Sequence, residues 1–160
     1  KAVAGLPGGN KNLARKGGMD EMFADITFAV DSVVAGTANG GVGGDAADVF
    51  IYGDDPSAHV SISEDQSGAT AVASTRADAL HMPQAEQDME RSRLHIAAKF
   101  AAIIRAAVKD DTGFTACAGL STSPMLAKLA SELRKPDSLN LLYSWRSSSI
   151  VNVMPLRKVP

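Results

Sequence analysis

Residues 86–109 constrain the fold more than any other stretch. Met89, Leu94, Ile96, Ala97, Phe100, Ala101, Ile103, Ile104 and Val108 recur at three- and four-residue spacing beside Arg91, Arg93, Lys99, Arg105 and Lys109. Apolar residues at that period fall on one side of a helix, so the segment predicts an amphipathic helix lying on a core, closed by Asp110-Asp111-Thr112-Gly113. Its basic face is read as solvated and is given no function. Short apolar runs supply strands for the helix to cover: residues 49–52, then 114–120 as a buried strand, then 139–143. Between the last two, Ser123 is an N-cap, Pro124 takes the first helical position, and Met125, Leu126, Leu129, Ala130 and Leu133 give one apolar face through Arg134. Lys135-Pro136-Asp137 ends that helix, and 147–159 reads as a further short helix.

Towards the N-terminus the pattern is weaker. Residues 1–18 are small, basic and glycine-rich and read as a loose lead-in, followed by a strand over 18–25. Phe28-Ala29-Val30-Asp31-Ser32-Val33-Val34 fits a short helix or a continuing strand; a helix with Thr27 as N-cap is favoured. Residues 36–44 are low-complexity, and Gly41-x-Gly43-x-x-Ala46, which begins among them, is a formal dinucleotide fingerprint. No strand leads into it, no amphipathic helix leaves it, and Asp45 and Asp48 would face the phosphates, so that reading is set aside. Residues 54–85 have no sustained period and read as an insert whose acid pairs, Asp54-Asp55 and Glu64-Asp65, are solvated. The order of elements says α/β or α+β.

A chain of 160 residues, 45% hydrophobic, supports one domain with a real core. The lone Cys117 allows no internal disulfide and reads as a core thiol, which favours a reducing compartment. His59, His81 and His95 lie far apart without zinc-ligand spacing. No run reaches the roughly 18 apolar residues of a membrane span, so no membrane partner is expected. A start at Lys1 and a stop at Pro160 suggest a piece of something longer.

Chemistry concentrates at Asp20-Glu21, adjacent carboxylates in an apolar run behind Gly17-Gly18. An unpaired carboxylate at an apolar surface loses hydration worth several kcal/mol, neighbouring carboxylates repel, and a divalent cation relieves both. The alternative is an exposed turn in which water solvates both acids. Adjacent residues of a regular strand face opposite ways, so the pair can share one metal cluster only if the strand begins, bulges or bends there. Residues 19–90 hold fourteen acids against one base, Arg76, whereas residues 120–160 hold six bases against two acids. Such segregation suits a metal-binding wall facing a phosphate-binding wall.

Gly18-Met19-Asp20-Glu21-Met22-Phe23-Ala24-Asp25-Ile26-Thr27 together with Thr115-Ala116-Cys117-Ala118-Gly119-Leu120-Ser121-Thr122-Ser123-Pro124-Met125-Leu126-Ala127-Lys128-Leu129-Ala130-Ser131 and Lys135-Pro136-Asp137 resembles the Y-family (translesion) DNA polymerases, most closely polymerase iota and its eukaryotic relatives. The likeness covers residues 17–27, 49–52 and 92–160, with the two motifs in the family's order. It implies an α+β fold: a partial polymerase palm, with a mixed sheet and two packed helices, over residues 1–145, a flexible insert at about 36–85, and the start of a helical thumb at 146–160. It further implies that Asp20 and Glu21 are catalytic metal ligands for two magnesium ions. Asp20 would bridge both ions, and Glu21 would hold the one that lowers the pKa of the primer 3′-hydroxyl. Lys135 would reach the incoming deoxynucleoside triphosphate, while Ser121, Thr122 and Lys128 would lie on primer-template DNA.

A sliding clamp would be a further partner through regions outside this chain, and the location implied is the nucleus. The sequence departs from the family in two respects. Ser123-Pro124 replaces the usual Asn-Lys, which removes one cation from the loop, and the palm strand carrying a third carboxylate and a steric-gate aromatic is not in the chain. Translesion nucleotidyl transfer is therefore expected of a longer protein, and the isolated chain is expected not to polymerise. The competing reading is a non-catalytic remnant or DNA-binding module of the same fold.

Overall fold

The computed structural model describes residues 1–36, 49–52 and 82–147. Two short 3-10 turns, Val3–Gly5 and Gly9–Lys11, lead into strands β1 (Leu13–Lys16) and β2 (Met22–Asp25), and helix α1 (Thr27–Val34) follows. Strand β3 (Val49–Tyr52), helix α2 (Gln84–Thr112), strand β4 (Ala118–Leu120), helix α3 (Pro124–Glu132) and strand β5 (Leu139–Leu142) complete the chain as far as a 3-10 turn at Ser144–Arg146.

The α+β class holds, with the strands in two small sheets rather than one mixed sheet among the described residues. Strands β1 and β2 form an antiparallel hairpin, whereas β3, β5 and β4 form a parallel sheet with β5 in the middle. Parallel neighbours need helical crossovers, and α3 is the crossover from β4 to β5.

Strand β5 is buried along its whole length because a helix covers each of its faces. Successive strand residues point to opposite sides. Leu139 and Leu141, continued by Tyr143 and Trp145, meet Leu94, Ala98 and Ala101 of α2, whereas Leu142 meets Leu126, Leu129, Ala130 and Leu133 of the α3 segment. Asn140 lies on the α3 side, where its Nδ2 donates to the Leu133 carbonyl at 2.9 Å and to Ser138 Oγ at 2.9 Å. That pair of bonds from Nδ2 ties the chain reversal between α3 and β5, while Oδ1 of the same amide is buried with no partner among the described residues.

Helix α2 is apolar on two sides. Leu94, Ala98 and Ala101 face the sheet, while Ala97 and Phe100 pack with Leu6, Ala29 and Val30. The helix runs beyond the 86–109 read from periodicity, because Asp110, Asp111 and Thr112 continue it until Gly113 adopts a left-handed φ of 76° and its N–H bonds the Lys109 carbonyl.

Several boundaries differ from those expected. The lead-in is ordered: Val3, Leu6 and Asn12 are buried, and residues 13–16 are strand β1. Asn12 holds it to α1, donating to the Pro7 carbonyl at 3.0 Å and accepting from Ala29 N–H at 3.2 Å. The ambiguous segment after Ile26 is a helix that begins at Thr27, so Thr27 is not its N-cap. Asp25 Oδ1 instead accepts the Thr27 N–H at 3.0 Å. Strand β4 is shorter than 114–120, with Phe114 and Thr115 exposed and Cys117 only half-buried beside Ser138 Oγ. Helix α3 stops at Glu132 rather than Arg134. Residues 37–48, 53–81 and 148–160, where the formal dinucleotide fingerprint, most of the expected insert and nearly all of the helix expected at 147–159 fall, lie outside the described residues.

Candidate active site

The acidic pair sits in a hairpin loop, not within a strand. Lys16 pairs with Met22, which leaves Gly17–Glu21 as the loop, and the Glu21 carbonyl closes it by accepting Gly17 N–H at 2.8 Å and Gly18 N–H at 3.4 Å. The strand expected over 18–25 thus begins at Met22, and Asp20 and Glu21 stand in a hairpin turn, where the alternation of a regular strand does not apply. Asp20 and Glu21 are exposed, and Met19 beside them is 98% exposed.

Glu21 is tied to α3 by an ion pair with Lys128, 107 residues further along the chain. Lys128 Nζ also bonds Glu132 Oε1 at 3.0 Å, and Glu132 Oε2 lies 3.0 Å from Lys135 Nζ. Four side chains therefore alternate in charge from the hairpin to the end of α3: Glu21, Lys128, Glu132, Lys135. Lys128 and Glu132 stand four residues apart on successive turns of α3, and Lys135, in the turn that follows the helix, reaches back to Glu132 three residues before it. The Glu21 hydrogen bond raises the Lys128 pKa despite partial burial, with Glu132 adding to the rise. Burial alone would push the Glu132 carboxyl up, but hydrogen bonds from Lys135 and Lys128 and their charges outweigh it and leave its pKa lowered.

The turn carrying Lys135 is held from outside. Arg134 and Asp137 take left-handed φ values of 48° and 50° on either side of Lys135-Pro136. Arg105 of α2 donates to the Ala116 carbonyl at 2.7 Å and pairs with Asp137 at 2.5 Å, so one guanidinium joins the approach to β4 to this turn. Arg105 and Glu132 are the residues that the sequence reading missed. For Glu132 the helical spacing was a usable signal, whereas for Arg105 only the tertiary fold reveals the partner.

Ser121 and Thr122 lie between β4 and α3. Ser121 Oγ is buried with no hydrogen-bond partner among the described residues, and Thr122 is exposed. Ser123 caps α3 as expected, its Oγ accepting Leu126 N–H at 3.2 Å. Among the described residues no three His, Cys, Asp or Glu side chains gather into a metal-binding group. The donor set at the hairpin fits a hard divalent cation in kind, two carboxylates, and is short in number.

A hairpin bearing an acidic pair, joined by an ion pair to the helix of a strand-loop-helix unit, sits within a matched family region. Residues 9–132, more than half of the chain, match the impB/mucB/samB family. The chain belongs to that family, the Y-family DNA polymerase domain. It is similar to proteins named DNA polymerase IV: 53% identical over 45 residues to that of Clostridium acetobutylicum, 28% of this chain and 11% of that protein. Against the Stenotrophomonas maltophilia protein it is 34% identical over 70 residues, 44% of this chain and 19% of that protein. For Neisseria meningitidis serogroup C the figure is 36% over 83 residues, 51% of this chain and 24% of that protein. The chain thus spans less than a quarter of the length of these relatives.

Proposed function

We propose that the chain is part of a translesion DNA polymerase, a metal-dependent nucleotidyltransferase that takes primer-template DNA and a deoxynucleoside triphosphate. The observation that carries the reading is the ion-pair line Glu21–Lys128–Glu132, which joins the acidic hairpin to α3 inside the region matching a polymerase family and continues to Lys135 just beyond it. In this reading Asp20 and Glu21 hold divalent metal, magnesium by preference for hard oxygen donors. When bound, the metal supplies charge neutralisation at the attacking and leaving oxygens of phosphoryl transfer. Lys135, half exposed, offers an ammonium group to the triphosphate. Exposed Thr122 suits phosphate contact at the start of α3, whereas the Ser121 hydroxyl is buried as the loop stands, so a part for Ser121 rests on the resemblance alone. Lys128 acts on Glu21 first, and its part in DNA contact is secondary.

The finer placement on the iota branch, and with it a nuclear location, rests on the motifs alone; the relatives compared are bacterial proteins named DNA polymerase IV. A second reading, a non-catalytic module of the same fold, is favoured by one observation: Glu21 already has a cation, Lys128. Primer extension separates them. The full-length protein containing this chain should extend a primer with magnesium, and the Asp20→Ala, Glu21→Ala double variant should lose that activity. Equal extension by both proteins would overturn the polymerase site.

A further inference from the structure

Lys128 stands between two carboxylates of different kinds. Glu132 is on the same helix, four residues on, with its side chain 24% exposed, so its distance from Lys128 is set by α3 itself. Glu21 comes from the hairpin, is 40% exposed, and meets Lys128 only because hairpin and helix are docked. The ammonium group of Lys128, whose side chain is 23% exposed, has three donors and bonds both acids. A divalent cation arriving at Glu21 must displace that ammonium. A displaced, partly buried ammonium needs another carboxylate, since an uncompensated charge there is costly. Glu132 is already in place to take it.

Resting on the reading of Asp20 and Glu21 as metal ligands, we propose that Glu132 is a positioning residue: by sharing Lys128 with Glu21, it leaves the Glu21 carboxylate open to a divalent cation. Removing the charge of Glu132 leaves Lys128 with Glu21 as its one carboxylate partner among the described residues, and the ammonium then competes harder with the metal. The effect runs through Lys128, which distinguishes it from a general loss of negative charge.

The experiment uses the full-length protein without DNA or nucleotide and follows Mn2+ binding by electron paramagnetic resonance, with thermal unfolding of each variant. Glu132→Gln should weaken Mn2+ binding about three- to tenfold. Adding Lys128→Met to that variant should restore binding to within about twofold of the starting protein, because the two charge changes then act on one pair. Wild-type affinity in Glu132→Gln, or a double variant no tighter than the single one, would overturn the proposal. Should Glu132→Gln fail to fold, Lys128→Met and the double variant carry the comparison: they should bind Mn2+ alike, and weaker binding by the double variant counts against a route through Lys128. Glu21→Gln keeps the two ideas separate. Unchanged binding there defeats the metal-site reading, whereas weakened binding there with Glu132→Gln unchanged defeats only the positioning role.

Discussion

Gly119 of β4 lies against the backbone of α3 so closely that a Cβ atom on it would stand 2.0 Å from the Ala127 carbonyl oxygen and 2.3 Å from the Ser131 nitrogen. Both neighbours are main-chain atoms of a hydrogen-bonded helix, so neither can rotate aside. Strand and helix meet at this distance because there is no side chain between them.

Gly119→Ala should therefore push α3 off the sheet. Overpacking of this kind costs about 1–3 kcal/mol where side chains can adjust, and a main-chain clash belongs at or above the top of that range. Urea unfolding of Gly119→Ala should show a large fall in midpoint. A midpoint equal to that of the unmodified protein would mean that α3 does not dock on β4 in this way.

Leu141 is fully buried on the α2 side of the central strand β5, whereas Met125, on the first turn of α3, is 53% exposed. Leu141→Ala should cost about 2–5 kcal/mol through lost burial and the cavity left behind. Met125→Ala should stay within about 0.5 kcal/mol of zero. Parallel denaturation curves for the two variants check the contrast, and similar losses would place the core elsewhere.

Most of the core was legible in the sequence because its period is strong: Leu94, Ala97, Phe100 and Ala101 of α2 and Leu126, Leu129 and Ala130 of α3 pack as the spacing requires, although Met89, Ile103 and Met125 of the same expected faces are exposed. Strand β1 was not legible, since Leu13-Ala14-Arg15-Lys16 is exposed throughout and exists only by pairing with β2. Cross-strand pairing leaves little trace in composition when neither face is buried. The acidic pair was legible as chemistry. Its attachment to Lys128 was not, because the partners are 107 residues apart and sequence spacing says nothing about ion pairs made by tertiary docking.

Arg105 offers a test of how the Lys135 turn is held. Its guanidinium uses separate nitrogens for the Ala116 carbonyl and the Asp137 carboxylate, geometry that a lysine ammonium cannot reproduce at both places. Arg105→Lys should thus behave more like a loss than a conservative change, costing about 1–3 kcal/mol for hydrogen bonds to a charged group. Amide hydrogen exchange at residues 116 and 137–138 should speed up, while exchange within α1 stays unchanged. Uniform speeding across the chain would point to global destabilisation instead.

The ion-pair line along α3 also fixes how stability should respond to pH. The Glu132 carboxyl has a pKa lowered from its ordinary value of 4.5, so its contribution is present above that value and is lost as pH falls through the folded-state pKa. Asp25 acts in the same direction: the Thr27 hydroxyl and N–H lower its pKa from 3.8. Lys128 has a pKa raised from 10.5 by Glu21 first, so its contribution is complete below that value and is lost as pH rises through the folded-state pKa. The three groups together predict a plateau of thermal stability between roughly pH 5 and pH 10, with an acid edge and an alkaline edge of different origin. Glu132→Gln should flatten part of the acid edge, and Lys128→Met should flatten the alkaline edge while leaving the Asp25 share of the acid edge intact. Melting temperatures measured across the pH range for the three proteins decide the matter, and an alkaline edge that survives Lys128→Met unchanged would show that Lys128 does not hold Glu21 in solution.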